Sequence, residues 1–300
     1  MEVFKISTKI LIVGPGVIGS IYALKFSNAG FNVTILARGS RLEQLEKNGL
    51  LYEDNGHISK ANVTVISKLS DNDLYDFIFV TVRFEQIIQA LNDKKSNQSK
   101  TIITMVNSPQ GYDEWERIVG KGRLIAAFPG AGGRIENGVL HYRLTPYIIQ
   151  PTTFGELNGI STHRVYKLAQ ILKTSKVPYN ICRDMDAWQK SHLAMVIPMA
   201  NAIYNDGGTA YTTSKNKLAI EKMCLDMKGY YRSLKKIKIP ITPIKLNAFL
   251  LCPIWLLKII MKAFYSSRFA ETLISNHANN AKQEMLLLDL EFQKVVDKKV

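Results

Sequence analysis

The stretch Lys9-Ile10-Leu11-Ile12-Val13-Gly14-Pro15-Gly16-Val17-Ile18-Gly19 decides how the rest of the chain is read. Four consecutive apolar residues after Lys9 predict a strand buried on both faces. The spacing that follows is G-x-G-x-x-G, and residues 18–29 then take helical periodicity. Each glycine answers a different constraint. Gly14 makes the tight turn, Gly16 lets a pyrophosphate approach the backbone, and Gly19 lets helix and strand pack closely. At the helix start, Val17 and Ile18 carry N–H groups without helical partners, and these face an anion together with the positive end of the helix dipole. An ordinary glycine turn is the plain alternative. The strand before the turn, the helix after it and a second strand at the right distance weigh against that reading.

Outward from this motif, residues 31–37 read as the second strand and 41–48 as a short helix. Residues 63–66, 75–82, 101–106 and 124–128 read as further strands, with a helix at 85–91. Strands alternating with helices imply parallel βαβ units. The expected fold class is therefore α/β, a Rossmann-like doubly wound parallel sheet. After Pro129-Gly130-Ala131-Gly132-Gly133, the runs 139–144 and 147–150 read as a hairpin or edge strands. A helix at 162–174 and a short strand at 179–182 follow. From Asp186 the pattern turns helical, with long periodic segments at 187–204, 218–234 and 277–296. That change sets the expected boundary between a dinucleotide-binding domain, 1–185, and an all-helical substrate and dimerisation domain, 186–300.

The end of the second strand bears on which dinucleotide is bound. A site for NAD carries an acidic residue there to hold the ribose hydroxyls. This chain has Ala37-Arg38-Gly39-Ser40-Arg41 instead. A carboxylate repels a 2′-phosphate, whereas a guanidinium binds it with paired, charge-assisted hydrogen bonds. Arg38 thus points to NADP, against the plain reading of a solvated surface arginine.

Composition narrows the class. With 300 residues, 46% hydrophobic and 21% charged, the chain can bury a substantial core. The net charge of +14 invites a nucleic-acid reading. However, the basic residues are scattered, and Lys235-Lys236 and Lys298-Lys299 are too short for a binding tail. No zinc-finger spacing or RNA-binding strand motif accompanies them. A basic surface that favours anionic cofactors is expected, without a nucleic-acid partner. Cys182, Cys224 and Cys252 are too far apart for a metal or redox pair and read as reduced thiols of a cytoplasmic protein. No metal site is expected, and no signal peptide is read at the start. The apolar stretch 248–265 is interrupted by Pro253 and Lys258, so no integral membrane segment is expected. A core helix, a subunit contact and interfacial attachment stay open for it.

Later motifs carry a resemblance. Val80-Thr81-Val82-Arg83-Phe84-Glu85-Gln86 follows one core strand and Asn107-Ser108-Pro109-Gln110-Gly111 the next. Trp188-Gln189-Lys190 opens a long helix, and His277-Ala278-Asn279-Asn280-Ala281-Lys282-Gln283-Glu284 comes near the end. In this order and spacing the chain resembles the ketopantoate reductases and their ApbA/PanE-like relatives, as a divergent member. The resemblance implies that Lys190 is the general acid that protonates the ketone oxygen as hydride arrives, a role suited to an ammonium beside a developing alkoxide. It implies that Asn107 serves the nicotinamide end of the site and the substrate. Glu284 then contacts substrate and helps place the lysine, and Arg83 stands where the family has lysine. His192 and His277 rank below Lys190 as proton donors, since a histidine beside an apolar helix face is more often a packing residue.

The departures limit the substrate. Where the family has asparagines one and two turns beyond the lysine, this chain has Ala194 and Pro198. A further family asparagine falls on Gly208. Asn201 is the candidate that compensates, and Pro198 is expected to kink the helix. The implied activity is NADPH-dependent reduction of a 2-keto acid or related carbonyl. The alternatives are a true 2-dehydropantoate 2-reductase of pantothenate biosynthesis and a non-catalytic NADP-binding sensor. A 6-phosphogluconate-like hydroxyacid dehydrogenase ranks lower, because its glycine turn carries a methionine absent here. Helical second domains in such enzymes often pair, so a homodimer is an open expectation.

Overall fold

A computed structural model describes residues 7–206, 208–271 and 281–297. The chain divides into two compact units, one running to Val106 and resuming over Tyr112–Met185, the other made of Asn107–Gly111 and the chain from Asp186 on. The segment Asn107–Gly111, which the sequence reading leaves in the first domain, groups with the second. Two contacts within the second unit account for this. Gln110 donates from its amide to Glu291, and Gly111, at φ +88°, sits so close to Asp186 that a Cβ there would lie 3.2 Å from its carboxylate.

In the first unit the main sheet has eight strands. Those used below are β1 (Lys9–Val13), β2 (Asn32–Leu36), β6 (Phe77–Val80), β7 (Ile102–Thr104), β8 (Leu124–Phe128), β11 (Thr152–Glu156) and β12 (Tyr179–Ile181). With β5 (Thr64–Ile66), the order is β12-β11-β8-β7-β6-β1-β2-β5. Neighbours run parallel except β11 against β8. This is the doubly wound sheet, extended at one end by a returning strand. The central strands are buried on both faces, so they read in the sequence as unbroken apolar runs.

A second, four-stranded sheet contains the run 139–144, expected as a hairpin or edge strand, with three further strands that were not expected. Its order is β4-β3-β10-β9, formed by β3 (Leu50–Asp54), β4 (His57–Ala61), β9 (Ala131–Glu136) and β10 (Val139–Leu144). Each of its hairpins turns on Asn-Gly. Asn55 and Gly56 have φ of 51° and 83°, and Asn137 and Gly138 have φ of 49° and 83°. Two successive positive φ angles match the right-handed twist of paired strands, and Asn-Gly accepts them most readily. The glycine-rich run is thus part of a strand, with Gly133 facing His141 too closely for a Cβ. Residues 147–150 form a turn after Pro146, not a strand.

Helix α1 (Val17–Asn28) lies between the two sheets, contacting β1 and β2 on one side and β9 and β10 on the other. That placement explains why seven of its twelve residues are buried. Tyr22, Phe26, Phe31 and Phe79 pack ring against ring beneath it. The Tyr22 hydroxyl is fully buried, 2.6 Å from Thr152 Oγ1, and accepts from Gly130 N at 3.1 Å. Burial pushes its pKa up to about 12 although both bonds pull the other way. Tyr22→Phe is expected to cost about 0.5–1.5 kcal/mol, because it removes buried hydrogen bonds while Gly130 N keeps Thr152 Oγ1 as acceptor at 3.3 Å. Urea unfolding followed by far-UV circular dichroism measures this, and an unchanged midpoint would refute the account.

The second unit is helical: α6 (Met185–Asn205), α7 (Ala210–Lys215), α8 (Lys217–Lys236), α9 (Asn247–Leu251), α10 (Ile254–Tyr265) and α11 (Lys282–Val296). Helices α2 to α5 belong to the first unit, at Gly39–Asn48, Ile87–Asn92, Asp113–Val119 and His163–Thr174. Helix α8 is the centre of the second unit, packed by α9, α10 and α11. Helix α6 continues through Pro198 to Asn205. His277, Asn279, Asn280 and Lys298-Lys299 lie outside the described residues. Among the described residues no single helix is long and apolar enough to cross a membrane.

Candidate functional site

The glycine turn joins the C-terminal end of β1 to α1. Gly14 has φ +86°, a conformation that side chains other than glycine rarely adopt. A Cβ on Gly19 would fall on Gly14 O and Thr81 Oγ1, so close packing of helix and strand requires glycine there. A Cβ on Gly16 would meet nothing within 4 Å. The requirement for glycine at position 16 is therefore not set by the protein's own packing, and the open space fits the approach of a phosphate. Gly16 is also the N-cap of α1 and supplies no side-chain cap, so the first N–H groups of the helix lack a side-chain acceptor. This cradle fits a dinucleotide pyrophosphate.

Two residues missed in the sequence reading brace the turn. Thr81, just beyond β6, places Oγ1 2.7 Å from Gly14 O and 3.0 Å from Val13 O. Arg41 in α2 donates from Nε to Pro15 O at 2.9 Å and from Nη2 to Ser20 Oγ at 3.0 Å. Nothing in their local sequence marks either residue, because both contacts depend on the sheet bringing distant segments together.

Arg38 is the N-cap of α2, at the end of β2, with its side chain 67% exposed. Its guanidinium donates to Asp93 Oδ2 at 2.7 Å. Burial works against the Asp93 carboxylate, but hydrogen bonds from Arg38 and Gln89 outweigh it and hold the carboxyl below its usual range. An exposed pair of this kind contributes about 0–1 kcal/mol, so a stronger anion can displace it. Arg83 follows β6 in extended backbone, exposed, at the N-cap of a short 3₁₀ turn.

In the second unit, Lys190 lies on the first turns of α6 and is only 7% exposed. Its Nζ donates to Asp186 Oδ2, one helical turn earlier. An acidic residue four positions before a lysine on a helix is a legible pairing, although the sequence reading did not use it. Gly111 packs against Asp186, which brings the Asn107–Gly111 loop to the same end of α6. Asn107 Oδ1 and Asp186 Oδ1 are buried acceptors with no hydrogen-bond partner among the described residues. Buried acceptors of this kind favour a donor from a bound molecule. The start of α6 is fixed by Tyr231 OH donating to Ser191 O at 3.2 Å and Thr242 N donating to Ser191 Oγ at 3.0 Å.

The remaining candidates fall elsewhere. Glu284, in the first turn of α11, lies near Tyr204, whose phenol is pushed up to about 12 by burial and then by that carboxylate. Tyr204 is fourteen residues beyond Lys190, roughly 21 Å along an α-helix. The carboxylate on the lysine is Asp186. Asn201 donates to Asp289 Oδ2 at 2.9 Å, within a network that also holds Tyr230 and Gln293. His192 is buried and stacked on Trp188, with ring centroids 5.2 Å apart. Ala194 is fully buried.

The profile of the family described as ketopantoate reductase PanE/ApbA matches residues 10–159. The uncharacterised oxidoreductase YkpB of Bacillus subtilis (strain 168) is 26% identical over 190 residues, covering 61% of this chain and 60% of that protein. A 2-dehydropantoate 2-reductase of Mesorhizobium japonicum is 27% identical over 164 residues, covering 52% of this chain and 48% of its own length. This chain therefore spans about half to three fifths of these curated relatives. Among solved structures, a D-mandelate dehydrogenase in ternary complex with NADH and anilino(oxo)acetate superimposes with a TM-score of 0.67. It is 16% identical, with 97% of this chain and 98% of that one covered, a likeness of fold.

Proposed function

The chain belongs to the ketopantoate reductase PanE/ApbA family, and from that premise we propose that it reduces the carbonyl of a 2-keto acid or a related compound with NADPH. The observation that carries the reading is Lys190, a nearly buried ammonium held by Asp186 beside the Asn107 loop. Bound on the glycine turn, NADPH supplies the hydride. Lys190 donates a proton to the carbonyl oxygen as it becomes an alkoxide, and its charge stabilises that oxygen. Asp186 takes the placing role that the resemblance gives to Glu284, by holding Nζ from one helical turn earlier. Asn107 orients the substrate or the nicotinamide ribose. Asn201 and, beside Tyr204, Glu284 lie too far along α6 from Lys190 to touch the reacting carbonyl and take no part in the proton transfer. Ala194 and Pro198 stand where the family has asparagines and are buried, so the hydrogen bonds those asparagines would give ketopantoate have no counterpart here. Loss of NADPH absorbance against a panel of 2-keto acids tests this. Tight NADPH binding without turnover across the panel would leave a sensor instead.

The cofactor preference rests on Arg38. Arg38→Asp is expected to weaken NADPH about tenfold to a hundredfold and NADH little, since a charged hydrogen bond contributes about 1.5–3 kcal/mol. Asp93→Ala frees the guanidinium from its present carboxylate and is expected to tighten NADPH by a few fold. Equal effects of Arg38→Asp on the two cofactors, by fluorescence titration, would assign Arg38 to the protein surface. A second reading, NADH, is favoured by the Arg38–Asp93 pair itself, and Asp93→Ala separates the two because it then weakens NADH.

A further inference from the structure

Helix α10, Ile254-Trp255-Leu256-Leu257-Lys258-Ile259-Ile260-Met261-Lys262-Ala263-Phe264-Tyr265, is apolar on two faces. Leu257, Met261 and Tyr265 recur at helical spacing and are buried against the unit's own helices. The outward face is not polar, as a surface helix normally is. Trp255 is 62% exposed, Ile259 58% and Ile260 48%, with Leu256 beside them. On the preceding segment Leu251 is 75% and Ile244 84% exposed. Lys262 follows Trp255 and Ile259 at i+7 and i+3, so it borders this face. Lys258 lies toward the buried side and pairs with Glu221 at 3.0 Å.

The stretch of chain that carries this patch is one-sided in charge. From Met227 to Ala270 the sequence holds nine Lys and Arg and no Asp or Glu. An apolar outer face bordered by Lys262, on a stretch of chain rich in basic residues, is the pattern of a helix that lies in an anionic lipid interface. Geometry excludes a simple span. Helix α10 has twelve residues, roughly 18 Å against a hydrocarbon core of about 30 Å. The segments Ile244–Leu251 and Ile254–Tyr265 are bent by 117° to each other. A second copy of the chain would bring two stretches of the same net sign together, which is repulsive. A nucleic acid fits less well, because most of the exposed face is aliphatic, and leucine and isoleucine neither stack on bases nor pair with phosphates.

We propose that this face, Ile244 and Leu251 with the outer side of α10, docks the protein reversibly on an anionic membrane surface. Trp255 and Ile259 enter the headgroup boundary, and Lys262 and its basic neighbours meet the lipid phosphates. The test is sedimentation of the full chain with vesicles of phosphatidylcholine alone, and of phosphatidylcholine and phosphatidylglycerol in equal parts. Binding to the mixed vesicles only, weakened by salt, is expected. Trp115 and Trp188 are buried, so a blue shift of tryptophan emission on binding reports Trp255. Trp255→Glu with Ile259→Glu, both at exposed positions, should abolish binding with an unchanged circular dichroism spectrum. Lys262→Glu should weaken it about tenfold or more. Absence of binding to the mixed vesicles overturns the proposal, as does undiminished binding by the double variant. A dimer in lipid-free solution that dissolves in the double variant assigns the face to self-association and overturns it too. So does salt-sensitive binding to a DNA duplex that survives Trp255→Glu.

Discussion

Replacing Lys190 by alanine is expected to lower NADPH-dependent turnover of the best 2-keto acid about 10²–10⁴-fold, with NADPH affinity unchanged. That loss corresponds to roughly 3–5 kcal/mol of transition-state stabilisation. The size follows from the two tasks assigned to one group, proton delivery and stabilisation of the developing alkoxide. The fold should survive the change. Asp186 is 42% exposed, so its carboxylate can be taken up by water once the ammonium is gone. Lys190→Arg keeps the charge but not the shape and should recover little activity. Asp186 acts through Lys190, which gives it a different signature. Asp186→Asn should lower kcat while KM changes little, and Asp186→Glu should restore part of the loss. Steady-state kinetics on purified variants decide the matter. Parental turnover in Lys190→Ala removes this lysine from the chemistry.

The parts of this site that the sequence exposes are those whose physics is local. The glycine turn is legible because three backbone demands fall within six residues, flanked by a strand and a helix of unmistakable period. The alternation of strands and helices gives the doubly wound sheet for the same reason. Of the second sheet only the strand 139–144 is read from the sequence, although both hairpins carry Asn-Gly, at Asn55-Gly56 and Asn137-Gly138, the strongest short turn signal available. Its strands are half exposed and short, so their apolar pattern is weak, and β3 pairs in parallel with β10 from far along the chain. Strand β11 was overlooked because Thr152-Thr153-Phe154-Gly155-Glu156 is polar in composition yet wholly buried. Thr152 and Glu156 are satisfied by Tyr22, Thr162 and Arg164, partners that only the fold supplies. The same holds for Arg41 and Thr81 behind the glycine turn. Lys190 is marked out only by the resemblance. Asp186 required only the i, i+4 spacing on a helix and could have been found from the sequence.

The two glycines of the turn should separate packing from binding. Gly19→Ala is expected to destabilise the first unit by about 1–3 kcal/mol or more, an overpacking cost. Its Cβ would fall on Gly14 O and Thr81 Oγ1 and lie 3.1 Å from Ile12 Cγ2. Neither oxygen can retreat easily, because they are hydrogen-bonded to each other at 2.7 Å and Gly14 is held by the end of β1. In a unit of this size the thermal midpoint should fall by about 2–4 °C for each kcal/mol. Gly16→Ala makes the opposite prediction. Gly16 has φ −70° and ψ −160°, extended backbone that alanine also adopts, and its Cβ touches no protein atom within 4 Å. Stability should therefore hold or rise slightly as the unfolded chain loses freedom. The methyl group would instead stand where the pyrophosphate approaches, so NADPH affinity should fall about tenfold or more, at least ~1.4 kcal/mol. Thermal unfolding of both apo variants, paired with NADPH titration of Gly16→Ala, tests the division. If Gly16→Ala binds NADPH as the parent does, the space above Gly16 is not the phosphate site and the cofactor assignment of the whole turn fails. If Gly19→Ala unfolds at the parental temperature, the close contact of α1 with Gly14 is not what holds the turn in shape.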